Sequence, residues 1–554
     1  MILEGSMRNM IKNTKIAIFQ LQEYLQIFKR KFNRHFNRCY SIFIRNSWLM
    51  KDSLPIRFQF IAGLPCLILP LILSQPIKAE VKFSESTDMA LYQILNLRTK
   101  TAQDIIDAGK SQNAQDIYLE YLENWKEVIE LIGYEDQDNY EIYTRAFDKR
   151  LDRIDSWEME GSKSFGITLA EIYAHAGLAN VMYGDYMSGF RKFLKANNLS
   201  RKNLKDYPDY WPNYKLRGAL NISLDQMPAI LKWLTSLLGL KGDSEKGLQQ
   251  IDTYLARVQD YPGLKSEALI YKVFTMKMKK DEEGAYQMLQ KELKGEIPPT
   301  LVKYLQANVM YLTSRNDEAL TVLESFPENF TEVPFLHVDY LKGKSKMNKL
   351  EKDANLYMLR FLEGSKFKNY KREMYSNLSY YYLINGNVDK YTFYKKQIAK
   401  CAKATSDRDR EANIEAERPY PPHPELLKAR FLINGGYLDQ GGKILNTIPV
   451  NTLSIPAYRT EYYLLRAKVH THENNYPAAK HYYDMAIEYG KNQKEHYAIE
   501  AALLAGNLSF DYGHIDAARD YWDMTFVINN TKDIYVENIQ KKAKYKLKEL
   551  EAKS

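Results

Sequence analysis

The stretch GITLAEIYAHAGLANVMYGDYMSGFRKFLKANNL, residues 166–199, constrains this chain more than any other. Small residues fall at Gly177, Gly184, Gly189 and Ala196, with aromatics at Tyr173, Tyr186 and Phe193. Laid on a 34-residue period, Gly177 takes the small position of a first helix and Gly184 the turn. Gly189 and Ala196 then take the two small positions of a second helix, and Phe193 the bulky one between them. Two antiparallel helices approach to about 8–10 Å where the crossing residues are small, and a large side chain fills the groove beside them. An amphipathic hairpin without a repeat would not need five matches in this order.

This is the spacing of a tetratricopeptide repeat, and weaker copies recur. Ala307, Ala319 and Leu323 match small and bulky positions; Gly386 marks a turn before a degenerate copy in which Tyr391 stands for alanine. Ala429, Gly436, Leu438, Gly441 and Leu445 form another. The strongest come last: Ala467, Tyr476, Ala479, Tyr483 and Ala486, then Gly506, Gly513, Ile515, Ala518 and Trp522. Residues 83–160 place Leu, Ile and Tyr at three-to-four spacing and predict an irregular set of N-terminal hairpins covering the first clear repeat. The expected fold is all-α, a tetratricopeptide-type solenoid of helical hairpins over 80–554, closed by the charged helix NIQKKAKYKLKELEAKS. Residues 403–424, KATSDRDREANIEAERPYPPHP, begin polar and end in four prolines; they predict a linker or long loop between repeats at 80–402 and 425–554.

After the first repeat the sequence becomes distinctive. Residues 206–255 contain Gly218, Leu220, Leu224, Met227, Pro228, Leu231, Leu234, Gly239, Gly242, Asp243 and Gly247. With the preceding hairpin, residues 166–255 resemble the tetratricopeptide repeat protein 39 family, its fungal outer-membrane inclusion-body relatives and related secreted bacterial proteins. The shared features are a Leu-Pro-rich helix, a Gly-Asp turn and a Gly-Leu helix start. Ala229 stands where that family usually has a second proline. The resemblance implies a helical-repeat scaffold without an established catalytic centre. From the residues themselves, Pro228 suits a helix start and Asp243 or Ser244 caps the next helix. The segment 227–240 is apolar on nearly every side. It is expected to bury Leu231, Leu234, Leu237 and Leu238, the rival being a surface for lipid or a partner.

Charge is confined to one end. The formal charge is +9, and residues 1–79 carry twelve Lys/Arg against three acids while the rest is balanced at 66 of each. A neutral body removes the phosphate-tracking footprint, so no nucleic-acid partner is expected. Lys51 and Arg57 precede a run without charge from Phe58 to Ile77, and Ala79 follows. Residues 50–79 therefore read as a signal peptide, and residues 1–49 as an upstream mis-start rather than a basic amphipathic helix over Ile16 to Arg38. Export to the periplasm or outer membrane of a Gram-negative bacterium follows; an uncleaved leader would instead anchor the chain in the membrane. Only Cys401 remains in the body, so no internal disulfide is available there.

No phosphate loop, paired-glycine nucleotide fingerprint or zinc-protease motif is present. His470, His472 and His481 are the one histidine cluster and read as repeat packing with surface histidine rather than a metal site. Asp281, Glu282 and Glu283 after three lysines read as a solvated turn. No catalytic, cofactor or metal residue is expected. The expected function is a non-catalytic exported scaffold that binds a protein or peptide partner on its concave face. The alternative is an envelope glycan-binding protein of the starch-utilisation type, which lacks support from a lipobox.

Overall fold

The computed structural model describes residues 84–157, 162–225, 240–326, 332–366, 368–402, 406–528 and 533–553. The fold is all-α: 24 α-helices and one short 3-10 turn, with no strand among the described residues. The expected leader at 50–79 and extension at 1–49 lie outside the described residues, as do Pro228, Leu231 and Gly239 of the apolar helix; Leu240, next in the chain, is buried. Among the described residues, no helix is long and apolar enough to cross a membrane.

The helices pair into antiparallel hairpins, from Glu85–Leu95 with Thr99–Gln112 to Tyr497–Asp511 with Ile515–Met524. Nine of these hairpins share one turn. The second residue after the first helix has a positive φ, between 76° and 87° at Gly184, Gly386, Gly436 and Gly513. At Leu97, Lys280, Ser314, Leu350 and Asn474 it lies between 56° and 62°. In each, the next N–H reaches back five residues to a helical carbonyl, as Asp185 does to Asn180 at 2.8 Å and Asp281 to Met276 at 3.0 Å. That bond satisfies a carbonyl the helix end leaves over. The glycines of this turn are visible in sequence; the five other residues at the same place are not.

Small residues set the crossings. A Cβ on Gly177 would lie 3.2 Å from the Gly189 carbonyl oxygen and from the Phe193 ring, so Lys163–Met182 and Tyr186–Asp206 touch backbone to backbone there. Gly218 and Gly247 meet more closely: a Cβ on Gly218 would sit 2.6 Å from the Gly247 oxygen. Gly242 leaves still less room, 2.1 Å to the Asp225 nitrogen, and Asp243 caps Ser244–Arg257 by accepting from the Lys246 N–H at 2.9 Å. Ala196, Ala467, Ala479, Ala486 and Ala518 are fully buried, the last four with Tyr483 and Trp522 in the C-terminal core.

Two helices stand outside the hairpins. Ile534–Lys553 packs on Tyr497–Asp511 and Ile515–Met524 at the end of the stack. The other, Asp407–Glu417, corrects the expectation of a linker at 403–424. It packs against Lys371–Ile384, Val388–Lys400 and Ile534–Lys553. Residues 78–554 form one compact unit, so no domain boundary falls here. The helix has no apolar stripe, and tertiary bonds hold it instead. Asp409 is fully buried and accepts from the N–H groups of Tyr370 at 2.5 Å and Glu373 at 3.0 Å, capping the Lys371–Ile384 helix across the chain.

Candidate concave binding site

Because the chain reverses at each turn, the first helices of successive hairpins run parallel and present one face to a shared concavity. Its N-terminal part is an open trough of about 920 Å³. Trp125, Ile129 and Ile132 come from Ile117–Tyr134, and Leu178, Val181 and Met182 from Lys163–Met182. Ile270 and Phe274 come from Pro262–Met278, and Leu301, Tyr304 and Leu305 from Thr300–Leu312. Phe274 is 53% exposed, and Leu178, Val181 and Tyr186 are also exposed on this face. A folded monomer gains nothing from leaving such a contiguous apolar surface wet.

The other end of the trough is cationic. Lys277, Lys280, Lys344 and Arg408 converge there with Asn308, Tyr311 and Tyr340. The Lys277 ammonium donates to the Asn308 Oδ1 at 2.7 Å, a neutral partner. Burial holds it well below its ordinary value, at about 8; Arg408, Lys280 and Lys344 push the same way and Glu282 opposes them. Lys344 instead bonds the Glu373 carboxylate at 2.6 Å, which also accepts from the Tyr340 hydroxyl at 2.5 Å. His337 stacks on Phe335 with centroids 5.4 Å apart, and its burial lowers it to about 4, so it is neutral near pH 7.

Through Lys280, Glu282 and Arg408 the trough continues into a second space of about 520 Å³, lined by charged residues of the C-terminal hairpins. Here three cations each have their own carboxylate: Arg430 with Glu461 at 3.3 Å, Lys468 with Glu500 at 2.7 Å, and Arg408 with Glu411 at 3.0 Å. Helix Asp407–Glu417 lies along this space and contributes Arg408, Glu411 and Glu415 to its wall.

Beneath the trough floor, Trp125 stacks on His175 with centroids 4.2 Å apart, and His175 Nε2 meets the Tyr271 hydroxyl at 3.3 Å. Beside them Lys215 bonds Glu267 at 2.5 Å and Glu171 at 3.2 Å, and the Tyr121 hydroxyl donates to Glu267. All but the half-buried Tyr271 are buried, and burial pushes Glu171 up to about 7 against the pull of Lys215.

Of the residues singled out in sequence, the repeat set (Gly177 to Ala196, Ala467 to Ala486, Gly506 to Trp522) lies at turns and crossings, with Tyr186 alone among them at the trough edge. Tyr476 packs at a tilt on Tyr512 of the next hairpin turn, with centroids 4.8 Å apart. His470 pairs with Glu473 at 2.7 Å and stacks on Tyr482, and no group of three potential metal ligands converges among the described residues. The turn Asp281–Glu283 is more than solvated surface: Asp281 caps its helix, Glu283 binds Arg315 at 2.9 Å, and Glu282 lines both spaces. Sequence reasoning named neither the trough cations nor Phe274. The available signal was the i, i+4, i+7 set Ile270, Phe274, Lys277, in which an apolar stripe ends on a cation.

No protein-family model matches the chain, and no curated protein matches it.

Proposed function

We propose that this protein is a non-catalytic exported scaffold whose concave face holds a segment of a protein or peptide partner. The observation that carries this reading is the trough: parallel helices from successive hairpins leave Phe274, Leu178 and Val181 exposed on one continuous inner surface. Convergent apolar and aromatic side chains with a few polar groups at one end are the usual composition of a binding cleft. Lys344 sits in an ion pair and Lys277 in a hydrogen bond to an amide, rather than in a nucleophile–base–orienter arrangement, which favours binding over chemistry. Export rests on the basic–apolar–small order of residues 51–79.

The test is site-specific crosslinking. A photo-crosslinking phenylalanine analogue at Phe274 should trap a partner in the native envelope fraction, and the same analogue at Phe393, exposed on a second helix, should not. Equal trapping at the two positions, or none at Phe274, would refute the concave-face reading.

A further inference from the structure

The trough is graded along the helix axes. On Pro262–Met278 the inner stripe runs Ile270, Phe274, Lys277; on Thr300–Leu312 it runs Leu301, Leu305, Asn308. Both pass from apolar to polar over seven residues, about 10 Å at 1.5 Å per residue. Since the helices are parallel, the gradients reinforce and one end of the trough is positive.

Four cations line the trough, Lys277, Lys280, Lys344 and Arg408, against two carboxylates, Glu135 and Glu282. Arg408, Arg430 and Lys468 of the adjoining space each form an ion pair within 4 Å, whereas Lys277 bonds a neutral amide and Lys280 forms no ion pair among the described residues. Lys344 is already paired with Glu373, Glu282 lies near both Lys277 and Lys280, and Asp407 is a further negative charge near Lys280. We infer that the trough takes an acidic peptide segment, its apolar side chains on Phe274 and Leu178 and a carboxylate about 10 Å further on, between Lys277 and Lys280. That distance corresponds to about three residues of extended chain. A peptide fits better than a short amphiphilic anion because the space does not end at the lysines: it opens past Lys280 and Arg408 into the charged part, where a longer polar chain can continue. This inference rests on the concave-face reading.

The experiment is selection of a random displayed dodecapeptide library on the full chain, repeated on Lys280→Glu, Lys280→Arg, Lys277→Met and Phe274→Glu. Enriched peptides should carry Asp or Glu three to four residues from an aromatic or aliphatic pair. Their binding should fall at least tenfold with Lys280→Glu and with Lys277→Met, and survive Lys280→Arg. Enrichment of neutral or basic peptides that depends on Phe274 but ignores Lys280 would overturn the acidic-segment inference and leave the concave-face reading standing. Enrichment indifferent to Phe274 would overturn both. If decanoate, but no peptide, changes Trp125 fluorescence in a Lys280-dependent way, the occupant is an amphiphile and the inference fails.

Discussion

The two ends of this molecule are built from the same hairpin and assembled differently. From Lys371 to Met524 the hairpins stack in chain order: Leu438–Asn446 lies on Pro456–His472, and Tyr476–Gly490 on Tyr497–Asp511. At the N-terminus, Glu85–Leu95 packs against Pro262–Met278. Asp88 accepts there from the N–H groups of Gly263 at 3.0 Å and Leu264 at 2.9 Å, so a side chain of the first helix caps a helix through an N–H 175 residues later. Asn96 accepts from the Thr300 N–H at 3.0 Å, and Glu332 from the Lys100 N–H at 2.6 Å. The C-terminal part approaches a sum of neighbouring interfaces, whereas the N-terminal part is closed by contacts distant in sequence. Closure is also what curves the first helices around the trough. Long-range contacts raise the loop entropy that must be overcome before the structure forms, so the N-terminal part should fold more slowly.

The largest test of this difference uses a cluster that occurs once in the closed part and once where the C-terminal stack begins, joining His337–Asn348 to Lys371–Ile384. In each, a tyrosine hydroxyl and a lysine share one buried glutamate: Tyr121 and Lys215 on Glu267, Tyr340 and Lys344 on Glu373. The first spans three helices and holds a second carboxylate, Glu171, so Lys215→Met leaves two buried anions uncompensated. Its expected loss is about 3–5 kcal/mol. Lys344→Met leaves Glu373 near Arg408 and should cost about 1–3 kcal/mol. Equal losses in chemical denaturation would mean that the two clusters do the same job and that closure adds nothing.

Acid should act next. Burial lowers His337 and His496 to about 4, and His175 shifts the same way. The unfolded chain takes up protons near pH 6.5, where these buried rings stay neutral, so the contribution of these histidines to stability falls as pH drops from about 6.5 to about 4 and levels off below that. For His337 or His496 alone the difference is roughly 3 kcal/mol at pH 4, using about 1.4 kcal/mol per unit of pKa. His496 stacks on Tyr535 at 4.0 Å and touches Glu500 at 3.7 Å, so His496→Gln should flatten the acid limb while lowering stability at neutral pH. A melting midpoint independent of pH between 6.5 and 4 would show that the rings are not held neutral.

Gly263→Ala addresses the long-range joint directly. A Cβ there would lie 2.3 Å from the Asp88 carbonyl oxygen, and backbone on both sides cannot yield as a side chain can. About 2–3 kcal/mol is expected from overpacking. Hydrogen exchange should rise together in Glu85–Leu95 and Pro262–Met278 while Tyr497–Asp511 stays protected. Uniform exchange across the chain would remove the distinction between the two parts.

Much of this was legible because repeat chemistry is local. Gly184, Gly386, Gly436 and Gly513 take the positive φ that a hairpin turn needs, and the 34-residue spacing at 166–199 follows from a crossing that admits only small residues. The same turn built on Leu97, Lys280 or Leu350 is silent, because those residues adopt the left-handed conformation only when tertiary packing compels it. Helix Asp407–Glu417 was hidden for the same reason. Its composition is that of a solvated loop, and its stability comes from Asp409 bonding another helix; only the cap at Ser406, which accepts from the Asp409 N–H at 3.1 Å, left a mark in sequence. The trough depends on which hairpins curve around it, and that is fixed by contacts such as Asp88 with Gly263 that no local spacing encodes.

The smallest effect separates two glycines that the repeat spacing treats as equivalent. Gly506 and Gly177 both stand at the small position of a first helix. A Cβ on Gly506 would lie 2.4 Å from Trp522 Cδ1, and that indole is 1% exposed and donates to Asn507 Oδ1 at 3.1 Å, so it has nowhere to go. Gly506→Ala should therefore cost about 1–2 kcal/mol. On Gly177 the closest atoms are 3.2 Å away, and Phe193 is only partly buried and can shift by a few tenths of an ångström. Alanine also relieves the entropic penalty of glycine inside a helix, worth about 0.5–1 kcal/mol in its favour. The two terms nearly cancel, and Gly177→Ala should move the melting midpoint by no more than a degree or two, given about 2–4 °C per kcal/mol for a large domain. Should Gly177→Ala prove the worse of the pair, the N-terminal hairpin is packed more tightly than its distances indicate, and the contrast between a closed N-terminal part and an ordered C-terminal stack must be sought in packing rather than topology.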